Sequence, residues 1–177
     1  MGASLTLPDS ADERLLALAR HWHSLRPSAG GLPMHRHFAA SGVSALLPWV
    51  WLFEVHRPDF RFRYRRLDRA LAFRYRFLGR AHAAAMGREN TGRWVDEVRP
   101  KLRAEPGYDL FIAAAEHGRI GYYKGPPTYR IEQGYAGIER LILPLARDGS
   151  TVDMLLGITV YVERVDGETL SITPAGA

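Results

Sequence analysis

Gly137-Ile138-Glu139-Arg140-Leu141-Ile142-Leu143-Pro144-Leu145 is followed, after Arg147-Asp148-Gly149-Ser150, by Val152-Asp153-Met154-Leu155-Leu156-Gly157-Ile158-Thr159-Val160-Tyr161-Val162. In the first segment Leu141, Leu143 and Leu145 fall on one face, and Arg140 and Pro144 on the other. In the second, Val152, Met154, Leu156, Ile158, Val160 and Val162 share a face, while Asp153, Gly157 and Thr159 share the opposite one. A side-chain period of two over that length predicts two half-buried strands. Asp148-Gly149 supplies the turn that makes them a hairpin. The pair organises a core and carries no evident chemistry of its own.

The rest of the chain fits one domain with modest extensions. It has 177 residues and is 46% hydrophobic, enough for a packed core. The reading divides it into a helix and linker over 1–30, a domain over 31–162 and a C-terminal extension over 163–177. The absence of cysteine removes disulfides, thiolate metal sites and cysteine nucleophiles together. The first residues show no basic segment followed by an apolar run, and the longest apolar run, Ala45–Phe53, is far short of the roughly 20 residues of a membrane span. A soluble cytoplasmic protein is the expectation.

The +5 net charge is concentrated. Between Arg57 and Arg80 nine arginines oppose Asp59 and Asp68, a local excess of seven, so the remainder is −2. Any affinity for nucleic acid or anionic membrane therefore rests on this region, and on Arg61, Arg63, Arg65 and Arg66 in particular. Phe60-Arg61-Phe62-Arg63-Tyr64-Arg65 and Phe73-Arg74-Tyr75-Arg76-Phe77 both alternate aromatic and arginine. Aromatics facing a core and arginines facing water is what a one-sided antiparallel sheet requires. An exposed basic ribbon is the alternative.

Ahead of these strands, Ser10 and Glu13 fit a capping box for an amphipathic helix over about Ala11–Leu25, with Leu15, Leu18, Ala19, Trp22 and Leu25 as its stripe. Arg26–Gly31 forms a linker. Trp49–His56 reads as a strand with Trp49, Trp51, Phe53 and Val55 on one face and the partly apolar Val50, Leu52, Glu54 and His56 on the other. The N-terminal helix is the natural cover for that second face. Beyond lie short helical segments at Ala81–Met86 and near Trp94–Val98, a helix at Tyr108–His117 closed by Gly118, and strand fragments at Ile120–Lys124 and Thr128–Ile131. Strands joined by short turns are antiparallel, so the class is α+β, with about five strands and helices grouped on one face.

Three segments together resemble the short single-domain PAS proteins of bacteria. They are Leu46-Leu47-Pro48 running into Trp49–Val55; Phe73–Gly79 followed by Gly87-Arg88-Glu89-Asn90-Thr91-Gly92-Arg93; and Glu139–Leu145 with Asp148-Gly149 and Val152–Gly157. The match covers about Arg26 to Val162, and Arg57–Ala70 departs from the family as an extended connection. The resemblance implies a PAS-like sheet in a sensory or docking module. Such a module binds a small molecule between sheet and helices, or works through protein contacts alone. It implies a homodimer, formed through an N-terminal helix or the outer sheet face, and a separate signalling protein as partner.

Under that reading Trp51, Phe53, Tyr75, Phe77, Trp94, Phe111, Met154 and Leu156 point inward around a ligand, with Arg88 and Asn90 as polar neighbours. Leu15, Leu18 and Trp22, with Val50, Leu52, Arg140, Leu155 and Tyr161, form the surface for a partner or second subunit. His117 stands roughly where haem-binding PAS domains place an axial histidine, but a capping or dipole role at a helix C-terminus is the better reading. His21 and His23, two apart on a helix, diverge; His35 and His37 converge on a metal only if extended. No nucleophile elbow, HExxH, P-loop or dinucleotide fingerprint is present, and Asp96-Glu97 reads as a solvated face. The expectation is a non-catalytic chain with no cofactor beyond an unidentified small molecule, and no metal.

Overall fold

A computed structural model describes residues 7–38, 42–57, 71–129, 135–165 and 168–171, with the side chains of 164–165 and 168–171 excepted. The hairpin forms β4 (Tyr135–Leu145) and β5 (Met154–Val165), paired from Tyr135↔Glu163 to Leu145↔Met154. Its turn is held by Asp148, whose Oδ1 accepts from the backbone N–H groups of Ser150 at 2.8 Å and Thr151 at 2.7 Å. Those two donors favour the ionised carboxylate and bring its pKa down to about 2. Gly149 sits at φ +78°, a conformation side chains resist.

β1 (Val50–His56) pairs with β5 on one side and with β2 (Ala72–Leu78) on the other. β3 (Gly121–Gly125) adds to the far edge of β4. The sheet therefore runs β2-β1-β5-β4-β3, antiparallel throughout, and β6 (Glu168–Ser171) folds back on the end of β5. β3 reaches only as far as Gly121↔Ile142, so Pro144 has no β3 neighbour at which its missing N–H would matter.

Both faces of the sheet are covered. On one lies α1 (Glu13–Ser24), whose Leu15, Leu18, Ala19 and Trp22 pack with Val50, Leu141, Leu143, Leu145, Met154, Leu156, Ile158 and Val160. The Trp22 indole N–H donates to the carbonyl of Pro144 at 2.9 Å and fixes the helix in place. Asp12, not Ser10, caps α1: its side chain accepts from the backbone N–H of Arg14 at 2.9 Å. The backbone N–H of Asp12 in turn donates to Glu139 Oε1, also at 2.9 Å, tying the helix start to β4.

The connection from β2 to β3 covers the other face. It contains α2 (Arg80–Ala85), α3 (Val95–Val98) and α4 (Tyr108–His117), the last closed by Gly118 at φ +62°. Phe111, Ala114 and Ala115 of α4, with Val95 and Leu102, pack on Trp51, Phe53, Phe73, Tyr75, Ile142 and Leu155. Trp51 lies so flat on Gly157 that a Cβ built there falls 2.0 Å from its ring.

The two covered faces correct several side-chain directions. Directly opposed residues of antiparallel strands point the same way. Trp51 faces Gly157 and Phe53 faces Leu155, whereas Leu52 faces Leu156 and Glu54 faces Met154. Met154 and Leu156 therefore belong under α1, away from the aromatic interior. Leu155, Tyr161 and Arg140, expected on an outer docking surface, belong to the interior. Leu15, Leu18, Trp22 and Val50 are buried within the chain itself, and Leu52 packs against the same cluster.

A bulge explains Phe77. Phe53 pairs with Tyr75, but Leu52 pairs with Phe77 and Trp51 with Leu78. One extra residue on β2 reverses the alternation. Phe73, Tyr75 and Leu78 are buried, while Phe77 turns outward at 39% exposure. The first aromatic-arginine copy, with Arg61, Arg63, Arg65 and Arg66, lies outside the described residues, as do Arg130 and Ile131 of the strand fragment expected at Thr128–Ile131; its Thr128 and Tyr129 form a bend instead.

Candidate functional site

The interior between the sheet and the helices holds a polar cluster. β4 contributes Arg140, β5 contributes Thr159 and Tyr161, β2 contributes Tyr75 and α2 contributes His82. Arg99 follows α3, and Tyr129 follows β3. Strand parity places Arg140 and Thr159 opposite each other on the helix-covered face. His82 is the inward residue of the alanine-rich α2.

Arg140 is 2% exposed and Arg99 7%. Both guanidinium groups lie over the same two rings. Arg99 is 4.3 Å from the Tyr129 centroid and 5.9 Å from that of Phe111; Arg140 is 5.4 Å and 5.6 Å from them. Their electrostatic partners differ. Arg99 is ion-paired with Glu105, itself almost buried. Burial lowers the Arg99 pKa, but the Glu105 carboxylate, together with Tyr75 and Tyr129, outweighs it and the net shift is upward. Arg140 has no carboxylate partner among the described residues. Its Nε donates to Thr159 Oγ1 at 3.4 Å, and its buried Nη2 has no hydrogen-bond partner. Burial lowers its pKa and neighbouring Arg99 pushes the same way, while Tyr129, hydrogen-bonded to the guanidinium, and Tyr161 act in the opposite direction.

Thr159 Oγ1 also accepts from the Trp51 indole N–H at 3.0 Å, so one hydroxyl orients both an aromatic wall and the cation. Tyr161 Oη shares hydrogen bonds with His82 Nδ1 at 2.5 Å and with Tyr129 Oη at 2.8 Å. Burial holds the His82 pKa well below its ordinary value, and the positive charges of Arg140 and Arg99 depress it further. His82 is neutral there. Burial raises Tyr161 well above the usual phenol range, and pushes Tyr75 up to about 12. The cluster thus sets the Arg140 cation, beside the Arg99–Glu105 pair, among a neutral imidazole, hydroxyl groups and aromatic faces. It is suited to holding an anion rather than to shuttling protons near neutrality.

Asn90 is fully buried; its Nδ2 contacts Met86 Sδ at 3.9 Å and its Oδ1 is unpartnered. The Tyr75 hydroxyl meets the same sulfur at 3.9 Å. Of the residues expected around a ligand, Trp51, Phe53, Tyr75, Phe111 and Asn90 lie on this side of the sheet or beneath its helices. Arg88 is exposed. Trp94 sits at the sheet edge, bridged to Arg74 and edge-on to His56 at 4.9 Å, and Phe77, Met154 and Leu156 point elsewhere. Composition and spacing did not single out His82, Arg99, Glu105, Tyr129 or Thr159. The one available signal was His82, a solitary polar side chain on an otherwise alanine helix face.

His117 is 60% exposed by side chain, at the rim of a separate open groove of about 780 Å³. It lines that groove and does not face the interior cluster. The groove lies between Trp22, Leu32, the end of α4 and the β4–β5 turn. Arg57 there is committed to structure, donating to the carbonyls of Val152 at 2.7 Å and Ala115 at 3.0 Å. His35 and His37 lie on one 3-10 turn, not on an extended segment. A scan against protein-family models, a search of curated proteins and a search of solved structures each return no match for the chain.

Proposed function

We propose that the chain is a non-catalytic PAS-type sensory and protein-interaction module that binds a small molecule between its sheet and the β2–β3 helices. The observation that carries this reading is the buried Arg140 guanidinium, held between those two layers with an unpartnered nitrogen. A buried charge without a partner costs several kcal/mol. A chain whose only task was to pack would be more stable with an apolar residue there. The layout adds support: an antiparallel sheet with the β2–β3 helices on one face is what the resemblance implies. The resemblance also carries the expectation of a dimer and of a separate signalling partner.

Native mass spectrometry of freshly purified protein tests the reading. It expects a mass above that of the bare chain, from a retained small molecule, in a dimer. A bare monomer contradicts it.

A further inference from the structure

We infer that the interior site takes an organic monocarboxylate, with the carboxylate oxygens accepting from Arg140 Nη2. The inference rests on the small-molecule reading above and names the ligand's chemistry.

Arg99 and Glu105 neutralise each other, buried His82 is neutral, and burial keeps the Tyr75 and Tyr161 hydroxyls protonated. Among the described residues of the cluster that leaves one uncompensated positive charge, on Arg140. Arginine does not lose its proton in this range. A water molecule can satisfy a free N–H but cannot cancel the charge. An anion does both, and charge-assisted bonds to a guanidinium are among the strongest available.

The charge count also selects the anion. One negative charge balances the site. The dianionic form of inorganic phosphate would leave a net negative charge in surroundings of low polarity, as unfavourable as the positive charge it replaced. The aromatic neighbours of Arg140 point the same way. Arg140 is flanked by Phe111 and Tyr129, with Trp51 held beside it through Thr159. These rings suit the hydrocarbon body of a carboxylic acid better than a compact hydrated oxyanion.

Acid and amide pairs give the test, because they share shape and differ in charge. Acetate, benzoate and phenylacetate are titrated calorimetrically into the full chain, alongside acetamide, benzamide, phenylacetamide and inorganic phosphate. The expected result is that at least one acid binds about tenfold or more tightly than its amide, and more tightly than phosphate. In Arg140→Met the preference collapses to about twofold or less. The acid–amide comparison within the unaltered protein stands even if that variant does not fold.

Equal binding of acid and amide overturns the anion assignment and leaves a small-molecule site intact. Phosphate binding as tight as the best acid overturns the choice of monocarboxylate. No binding by any probe, together with a native mass equal to the bare chain, overturns both the anion and the module reading. A Glu132→Gln variant, at a position outside the described residues, covers an internal counter-ion. If it destabilises the ligand-free protein and acid binding appears only in the variant, the anion is the chain's own and the proposal fails.

Discussion

Arg140 and Thr159 stand directly opposite each other on β4 and β5, and the arginine Nε donates to the threonine hydroxyl at 3.4 Å inside the protein. That hydroxyl is also the acceptor for Trp51. A cation is thereby fixed against an aromatic wall with no carboxylate partner among the described residues. The contrast with Arg99, which has Glu105, sets the first expectation.

Replacing each arginine by methionine should have opposite effects on the ligand-free protein. Arg140→Met removes a buried charge that has no carboxylate partner among the described residues, and should stabilise the fold by about 1–3 kcal/mol. Arg99→Met strands the Glu105 carboxylate and should destabilise it by about 3–5 kcal/mol. Urea denaturation of the two variants beside the parent measures both. Destabilisation by Arg140→Met as large as that by Arg99→Met would mean that Arg140 already has a counter-ion within the chain.

His82 should make the fold acid-sensitive. Its folded pKa lies well below 6.5 because it is buried beside Arg140 and Arg99, with Tyr161 and Tyr129 as its other polar neighbours. In the unfolded chain the imidazole takes a proton near pH 6.5; in the folded chain it does not. The unfolded state then binds more protons, so stability falls as pH drops below about 6.5 and is retained above it. Denaturation midpoints between pH 5 and 8 should show this slope in the parent. His82→Phe should be less stable at pH 8, through loss of the Tyr161 partner, and should show a shallower slope below pH 6.5.

Gly157 should tolerate no side chain. A Cβ there falls 2.0 Å from the Trp51 ring, which cannot retreat without breaking its bond to Thr159. Gly157→Ala should cost about 1–3 kcal/mol or more. Tryptophan emission should report a changed Trp51 environment in the folded variant.

The α1 face should behave as core, not as a docking surface. Leu15 and Leu18 are buried on β4 and β5 of their own chain. Leu15→Ala and Leu18→Ala should each cost about 2–5 kcal/mol and leave the oligomeric state unchanged in light scattering. A change of oligomeric state without loss of stability would place a second chain on this face.

Much of the scaffold was legible because it depends on short-range regularities. The period-two hairpin, the Asp148-Gly149 turn and the helix from Tyr108 to His117 follow from patterning and turn chemistry. Orientation was less legible. Alternation says which residues share a face, but not which face looks where. β5 is apolar on both sides because both are covered, so Met154 and Leu155 exchanged places relative to expectation. The β2 bulge that turns Phe77 outward leaves no mark in Phe73-Arg74-Tyr75-Arg76-Phe77. The polar cluster was hidden for another reason. Its members lie on three strands, one helix and two connections spread from Tyr75 to Tyr161, and Arg140, Tyr161 and Leu155 were assigned outward together by a single parity choice.

Amide and arginine side-chain NMR of the labelled protein during a benzoate titration locates the carboxylate on the sheet. The account predicts that Arg140 Nε–Hε and the backbone signals of Arg140, Thr159, Tyr161 and His82 shift together. Leu141, Leu143 and the α1 residues Leu15 and Leu18, on the opposite face, should stay in place. Saturation with no change at Arg140, or shifts confined to the α1 face, would contradict it.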